Sequence, residues 1–324
     1  MSWNVAGLRA VMKNHPKALS DMATKHNFDV ICLQETKLQD VHVNDPKLKI
    51  KDHLLNDEGY DSFYSCSTSK KGYSGTAVFV KRRTATCATK KVGKKQATLG
   101  SFLKKEKSEE NKDISDKPDI GGVDITNLMP MGVSNEIGKT EHDAEGRIIN
   151  IDFPLFSLSN LYVPNSGQKI DRLNYRIEHW DTDLLAFMQK KEKERKVPVI
   201  WLGDLNVAHE GIDTWNEGAK HLAKSAGTTP EERASFGKQL TQGYVDAFRN
   251  LHPNAWGQYT YWSQRAGNRV PNKGLRLDYF ICSKAMMEGG SVVDQKVIVR
   301  DSYMIPDQKG SDHCPIVLEL EIKK

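Results

Sequence analysis

Asp204 and Asn206 stand two residues apart in Trp201-Leu202-Gly203-Asp204-Leu205-Asn206, directly behind the most apolar run of this 324-residue chain. An extended backbone points alternate side chains the same way, so this spacing sets a carboxylate and an amide to converge on one reacting atom. An ordinary Asx turn uses the same residue types. Four further polar phrases lie beside apolar runs: Ser2-Trp3-Asn4-Val5-Ala6-Gly7-Leu8-Arg9, Leu33-Gln34-Glu35-Thr36-Lys37, Asn160-Leu161-Tyr162-Val163-Pro164-Asn165 and Gly310-Ser311-Asp312-His313-Cys314-Pro315. Leu275-Arg276-Leu277-Asp278-Tyr279 adds an acid at the start of another run. One at a time, Glu35 reads as a solvated or capping acid and Tyr162 as a packing aromatic. Six such sites, all polar and all beside strands, are poorly explained by packing alone.

Phosphodiester hydrolysis needs this mixture. Hard cations take oxygen ligands, and Mg²⁺ uses one or two carboxylates plus waters and substrate phosphate, a role open to Glu35 and Asp312. Such an ion polarises the phosphate and stabilises the leaving oxygen. Asp204 can position or deprotonate the attacking water, while Asn206, Tyr162 and His313 donate to the charge growing on the phosphoryl oxygens. Asp278 is placed to fix the tautomer and orientation of His313.

These side chains need a rigid support. Short β-branched or aromatic runs predict strands at Val30 to Leu33, Thr76 to Val80, Ile148 to Phe153, Ser159 to Val163, Val197 to Leu202, Tyr279 to Cys282 and Ile316 to Leu320. Leu173, Ile177, Trp180, Leu184 and Phe187 recur at helical spacing, and the helix they predict ends in the charged run Lys190 to Lys196. Thr229-Pro230-Glu231-Glu232 predicts a second helix start, with a capping threonine, a first-turn proline and a capping-box glutamate. Many strands with few helices predict an α+β sandwich. Residues 84 to 139 break the pattern and read as an inserted, Lys-rich, largely mobile loop.

The net charge of +5 is weak evidence for a polyanionic partner. Residues 81 to 118 hold 12 Lys or Arg against 5 Asp or Glu, so most of the excess sits in one stretch. That stretch is either a solvated loop or an auxiliary nucleic-acid arm. No run approaches the roughly 18 apolar residues of a membrane span, and no secretory signal opens the chain. Five cysteines without a CxxC pair point to free thiols in a reducing compartment.

Taken together, WNVAGLRA, LQETK, GYSG, EGRIINIDF, LYVPNSG, GDLNVAH, LRLDYF and SDHCP resemble, in order, the exonuclease III family of apurinic/apyrimidinic (AP) endonucleases, within the endonuclease/exonuclease/phosphatase superfamily. GDLN and SDH are shared with DNase-like nucleases, inositol-phosphate phosphatases and sphingomyelinases; YVPN with LRLDYF narrows the resemblance. It implies one domain over 1–324, folded as a four-layered sandwich of two β-sheets flanked by helices, with only the 84–139 insertion outside the match. It further implies a monomer acting on double-stranded DNA that contains abasic sites, with incision 5′ to the site leaving a 3′ hydroxyl. Exonuclease or 3′-phosphodiesterase activity accompanies it, and Mg²⁺ is the cofactor with Mn²⁺ as the alternative ion.

By the same resemblance Glu35 is a metal ligand with Asp312 nearby, and Asp204 and Asn206 handle the nucleophilic water and border the metal. Tyr162 serves the phosphate, His313 pairs with Asp278, and Asn4 and Asn165 complete the hydrogen-bonded floor. Tyr73, Arg147 and Arg172 match positions that grip the DNA backbone, contacts that orient the duplex without reading sequence. Tyr261, Trp262 and Leu277 match an apolar wall for a flipped-out sugar. The chain departs from the pattern at Ala6, where an Asp or Asn near the metal is usual, and at Gln168, Arg265 and Leu275. A catalytically weakened DNA-binding member, or a phosphatase or lipid phosphodiesterase of the same superfamily, are the alternatives. The expected compartment is the nucleus, or an organelle if a targeting segment has been removed.

Overall fold

The computed structural model describes residues 1–48, 50, 53–82, 128–288, 291–292 and 295–323. Its strands are β1 (Ser2–Asn4), β2 (Val30–Gln34), β3 (Tyr60–Ser65), β4 (Thr76–Lys81), β5 (Gly132–Ser134), β6 (Ile148–Asp152), β7 (Ser157–Tyr162), β8 (Val199–Asp204), β9 (Tyr244–Asp246), β10 (Asp278–Ser283), β11 (Ser291–Val292), β12 (Gln295–Met304) and β13 (Ile316–Lys323). One sheet has the order β11-β12-β13-β1-β2-β4-β3 and the other β5-β6-β7-β8-β10-β9.

Side-chain alternation sorts each strand between two cores. On β8, Ile200 and Leu202 join Val78, Ile149, Ile151, Phe153 and Phe280 between the sheets, while Val199 and Trp201 face outward to Trp180, Leu184 and Met188. On β2, Cys32 points inward and Ile31 and Leu33 outward, under helices Leu8–Asn14 and Ala18–His26. The result is the expected four layers, helix, sheet, sheet, helix. Among the described residues no helix is long and apolar enough to cross a membrane.

The helix predicted from Leu173 starts as a π-helical stretch, Tyr175–Asp181, and continues as an α-helix, Thr182–Arg195. The wider turn brings Arg176 Nε to Asp181 Oδ1 at 2.8 Å, a five-residue step that simple helical periodicity cannot foresee. Its inner face is consequently Arg176, Trp180, Asp181, Leu184 and Met188, with Phe187 only half-buried. The second helix, Pro230–Leu240, carries the predicted Thr229–Glu232 capping box. The expected loop at 84–139 is partly structured: β5 pairs with β6, and Leu128 packs against the inter-sheet core. The rest of that expectation, with the basic stretch 83–118, lies outside the described residues. Strand β12, ten residues long, was not foreseen because polar and charged residues interrupt its apolar pattern.

Two amides tie the sheets together just behind their strand ends. Gln34 Nε2 donates to Asn160 Oδ1 at 2.7 Å, and Asn160 Nδ2 donates to the carbonyls of Leu33 and Ala77, each at 3.0 Å. The described cysteines are free: Cys32 and Cys282 lie buried between the sheets, Cys314 is buried behind His313, and Cys66 is half-buried.

Candidate active site

Strand register alone assembles most of the site. In the second sheet Tyr162 pairs with Asp204 across β7 and β8, and Asp278 pairs with Asp204 across β10 and β8. In the first sheet Asn4 pairs with Gln34, so Glu35 leaves β2 beside it. Gly203 makes the close approach of β7 and β8 feasible. Its φ is +127°, and a Cβ there would lie 2.0 Å from the Leu161 carbonyl oxygen. Ala6, Glu35 and Asn206 also hold positive φ without being glycine, at 48°, 52° and 49°. Strain of this kind costs energy and collects where side chains must be aimed.

Asp204 is buried, and both its oxygens accept: Oδ1 from the Asn206 amide N–H at 2.9 Å and Oδ2 from Asn4 Nδ2 at 2.8 Å. Burial pushes its carboxyl up to about 7, with Asp278 adding to the rise while His313 opposes it. Asn4 also donates to Glu35 Oε2 at 3.2 Å, which links the two acids through one amide. Asn206 is fixed by its own donation to the Val163 carbonyl at 2.8 Å and by Asn165 Nδ2 on its Oδ1 at 2.9 Å.

His313 Nδ1 lies 2.7 Å from Asp278 Oδ2, and Nε2 lies 3.9 Å from Asp204 Oδ2. Burial disfavours the imidazolium, but Asp278 and Asp204 together overcome it and raise its pKa to about 10. Asp278 is held in turn by Thr260, whose Oγ1 accepts from the Leu277 and Asp278 amides at 2.9 and 3.1 Å. Tyr162 keeps its proton, because burial first, then Glu35 and Asp204, raise its pKa well above 10. A protonated phenol, an imidazolium and a carboxamide thus face a carboxylate, the inventory for donating to a phosphoryl group while activating a water.

Tyr73, Arg147 and Arg172 converge on a residue the sequence did not single out. Glu145 accepts from Arg147 Nε at 2.6 Å and Arg172 Nη2 at 2.9 Å, and both arginines donate to the Tyr73 hydroxyl. Arg147 is 2% exposed, with a further bond to the Tyr162 carbonyl and its guanidinium 4.9 Å from the Tyr162 ring. It therefore stands behind Tyr73 and Tyr162 as their support, whereas Arg172 remains partly exposed beside Tyr73. Tyr261 lies at the rim with its ring 5.0 Å from His313, while Trp262 and Leu277 are buried. Gln168 and Arg265 are exposed and Leu275 half-buried.

A second missed group backs the Asp278 strand. Arg276, fully buried, donates to Asp213 Oδ1 at 2.8 Å and Asp246 Oδ2 at 2.7 Å, and Arg249 adds a 2.6 Å bond to Asp213. Asp213→Ala would strip half-buried Arg249 of its carboxylate and leave buried Arg276 with Asp246 alone, so chemical denaturation should show a loss of about 3 kcal/mol. A change within the error of the measurement would refute this network as a determinant of the strand's position. Arg276 lies inside the LRLDYF phrase, where the resemblance assigns it no role, and Asp213 has an ordinary-looking neighbourhood, so only their burial marks the pair.

Among the described residues, Asp204, Asp278 and His313 form one of two groups of three close metal-type ligands. Glu35 and Asp312 are not part of that group; Glu35 is joined to it through Asn4, and Asp312 follows Ser311, whose Oγ donates to the Asn4 carbonyl at 2.7 Å.

The model described as the Endonuclease/Exonuclease/phosphatase family matches residues 1–99 and 122–313. A DNA-(apurinic or apyrimidinic site) endonuclease of Dictyostelium discoideum is 35% identical over 99% of this chain and 70% of its own length. An exodeoxyribonuclease of Bacillus subtilis is 34% identical over 99% of both. Among solved structures, the AP endonuclease of Leishmania major superposes with a TM-score of 0.74 at 28% identity, covering 98% of this chain and 85% of that one.

Proposed function

The chain belongs to the endonuclease/exonuclease/phosphatase family as a DNA-repair nuclease of the AP endonuclease type with exonuclease activity, and we propose that it hydrolyses the phosphodiester 5′ to an abasic site and leaves a 3′ hydroxyl. The observation that carries this reading is the convergence of buried Asp204, Asn206 and His313 with half-buried Tyr162, from the ends of β7 and β8 and the approach to β13.

Asp204 orients and deprotonates the attacking water. Asn206, Tyr162 and His313 donate to the phosphoryl oxygens, and Asp278 holds the His313 ring so that Nε2 faces the reaction. A divalent ion fits beside them: Lys37 already brings a positive charge against Glu35 Oε1 at 2.9 Å and the Ala6 carbonyl at 3.2 Å. Glu35, Asn4 and Asp312, with Asp204 and Asn206 on the other side, are the oxygen donors that would hold it, as Mg²⁺ or Mn²⁺. When bound, the ion supplies charge that polarises the phosphate and steadies the leaving oxygen. Arg172 and Tyr73 take the backbone of abasic duplex, and Asn165 the neighbouring phosphate. Tyr261, with Leu277 and Trp262 behind it, walls the sugar slot. The chain acts as a monomer and works in the nucleus, or in an organelle.

The test is incision of a short duplex carrying one abasic-site analogue, with Mg²⁺ titrated against EDTA and an undamaged duplex alongside. Metal-dependent cutting 5′ to the analogue is the expected result. A duplex bound but left intact at high Mg²⁺ would make the chain a non-catalytic binder instead.

The acid–base pair also predicts a bell-shaped rate profile. Activity should rise with pH as Asp204 ionises near 7 and fall as His313 loses its proton toward 10, the two limbs belonging to the coupled pair. Asp278→Asn removes the charge that sustains the imidazolium, so the alkaline limb should move to lower pH. An alkaline limb that stays in place would remove His313 from the proton inventory.

A further inference from the structure

On the outer face of the second sheet, Glu141, His142 and Asp183 bring ligand atoms within 4.8 Å of one another, and His179 lies beside Glu141. His142 has a fully buried side chain, with Nε2 3.0 Å from Asp183 Oδ2 and 3.8 Å from Glu141 Oε1. The same Glu141 oxygen lies 3.6 Å from His179 Nδ1. We propose that Glu141, His142 and Asp183, with His179 as a fourth donor, form a binding site for a Zn²⁺-class transition-metal ion.

Geometry and ligand chemistry both support this. A tetrahedral zinc ion with bonds of about 2.0 Å sets its donor atoms about 3.3 Å apart, and the three separations bracket that value. Two of the three are too long for hydrogen bonds, so Glu141 lies between two imidazoles without bonding either. Imidazole with carboxylate selects zinc-class ions over Mg²⁺, which prefers oxygen alone.

The surroundings fix the ligands as metal sites do. His142 Nδ1 lies 2.8 Å from the Tyr175 hydroxyl; with the proton on Nδ1, Nε2 turns its lone pair toward Asp183, and an ion would replace the hydrogen bond those two groups otherwise make. Asp143 locks the segment by accepting from the amides of Ile137, Gly138 and Lys139. The donors come from two elements, the turn Thr140–Asp143 and the π-to-α helix spanning Tyr175–Arg195. Lys139, 3.7 Å from the other Asp183 oxygen, is exposed and free to swing away when the ion enters. Glu145 and Arg147 follow on the same segment, so an ion there would anchor the stretch that supports Tyr73 and Tyr162.

The site stands independently of the nuclease reading, and its test does not use incision. The chelator-treated full chain is titrated with Co²⁺, which absorbs in the visible when tetrahedral, and with Zn²⁺ in competition with a chromogenic chelator. Because Asp204, Asp278 and His313 can also take an ion, the background is His313→Ala. That variant should still bind one equivalent of Zn²⁺. Adding Glu141→Gln and His179→Ala, both at half-exposed side chains, should abolish it together with the Co²⁺ band. Tyr175→Phe should weaken Zn²⁺ binding by about 10- to 100-fold. No bound ion in His313→Ala, or an ion that survives Glu141→Gln with His179→Ala, would overturn the proposal.

Discussion

Asp204→Asn should abolish incision of an abasic duplex while leaving its capture nearly intact. Burial raises the Asp204 carboxyl to about 7, which suits it to accept a proton from water near neutral pH, and losing such a base costs up to about 10⁴-fold in rate. The variant is not free of structural cost. Both Asp204 oxygens accept, so the new amide must turn its NH₂ toward either Asn4 Nδ2 or the Asn206 N–H. Asn4 cannot simply flip to accept it, because its own Oδ1 receives the Ala6 amide at 2.9 Å. That conflict stays inside the pocket, whereas Arg172 and Tyr73 lie at its rim. Single-turnover cutting and gel-shift binding, measured on one preparation, separate the two properties. An equal loss of both would end the role of Asp204 as base.

Gly203→Ala should be more damaging to the fold than any other single methyl addition near the site. The new Cβ would overlap the Leu161 carbonyl oxygen and press on Gln34 Cγ at 3.2 Å, at a φ that L-residues avoid. Relief requires parting β7 from β8, which also separates Tyr162 from Asp204 and disturbs the Gln34–Asn160 tie. The expected loss is on the order of 4 kcal/mol or more, read from the denaturant midpoint. A variant within about 1 kcal/mol of the parent would show that the strands can yield there.

Much of this was legible in the residues. The runs around Val30, Thr76, Ile148, Val197 and Tyr279 became strands within a few residues of the predicted ends, because β-branched and aromatic runs bounded by polar phrases carry a local signal. Alternation does not set the Asp204–Asn206 pair: β8 ends at Asp204, whose Oδ1 accepts the Asn206 amide in the Asx turn that the same residue types allow, while register brings Tyr162 and Asp278 alongside Asp204. What escaped the sequence was relational. Nothing local marks Glu145 as the residue that neutralises two arginines, or Arg147 as buried, since both facts depend on β6 and the Tyr73 loop meeting. The π turn at Tyr175–Asp181 escaped for the same reason: Arg176 is drawn inward by Asp181 and by the carbonyls of Pro164 and Leu205, groups distant in the chain.

The buried thiols give the molecule two internal clocks. Burial raises the Cys32 thiol to about 12 and pushes those of Cys282 and Cys314 up as well, so none reacts with an alkylating reagent until its surroundings open. Cys314 packs with Tyr259 and Trp262 beside the segment that carries His313, whereas Cys282 packs in the core between the sheets. The ratio of their labelling rates therefore measures how often the catalytic rim breathes without the sandwich unfolding, and substrate DNA that closes the rim should slow the first clock alone.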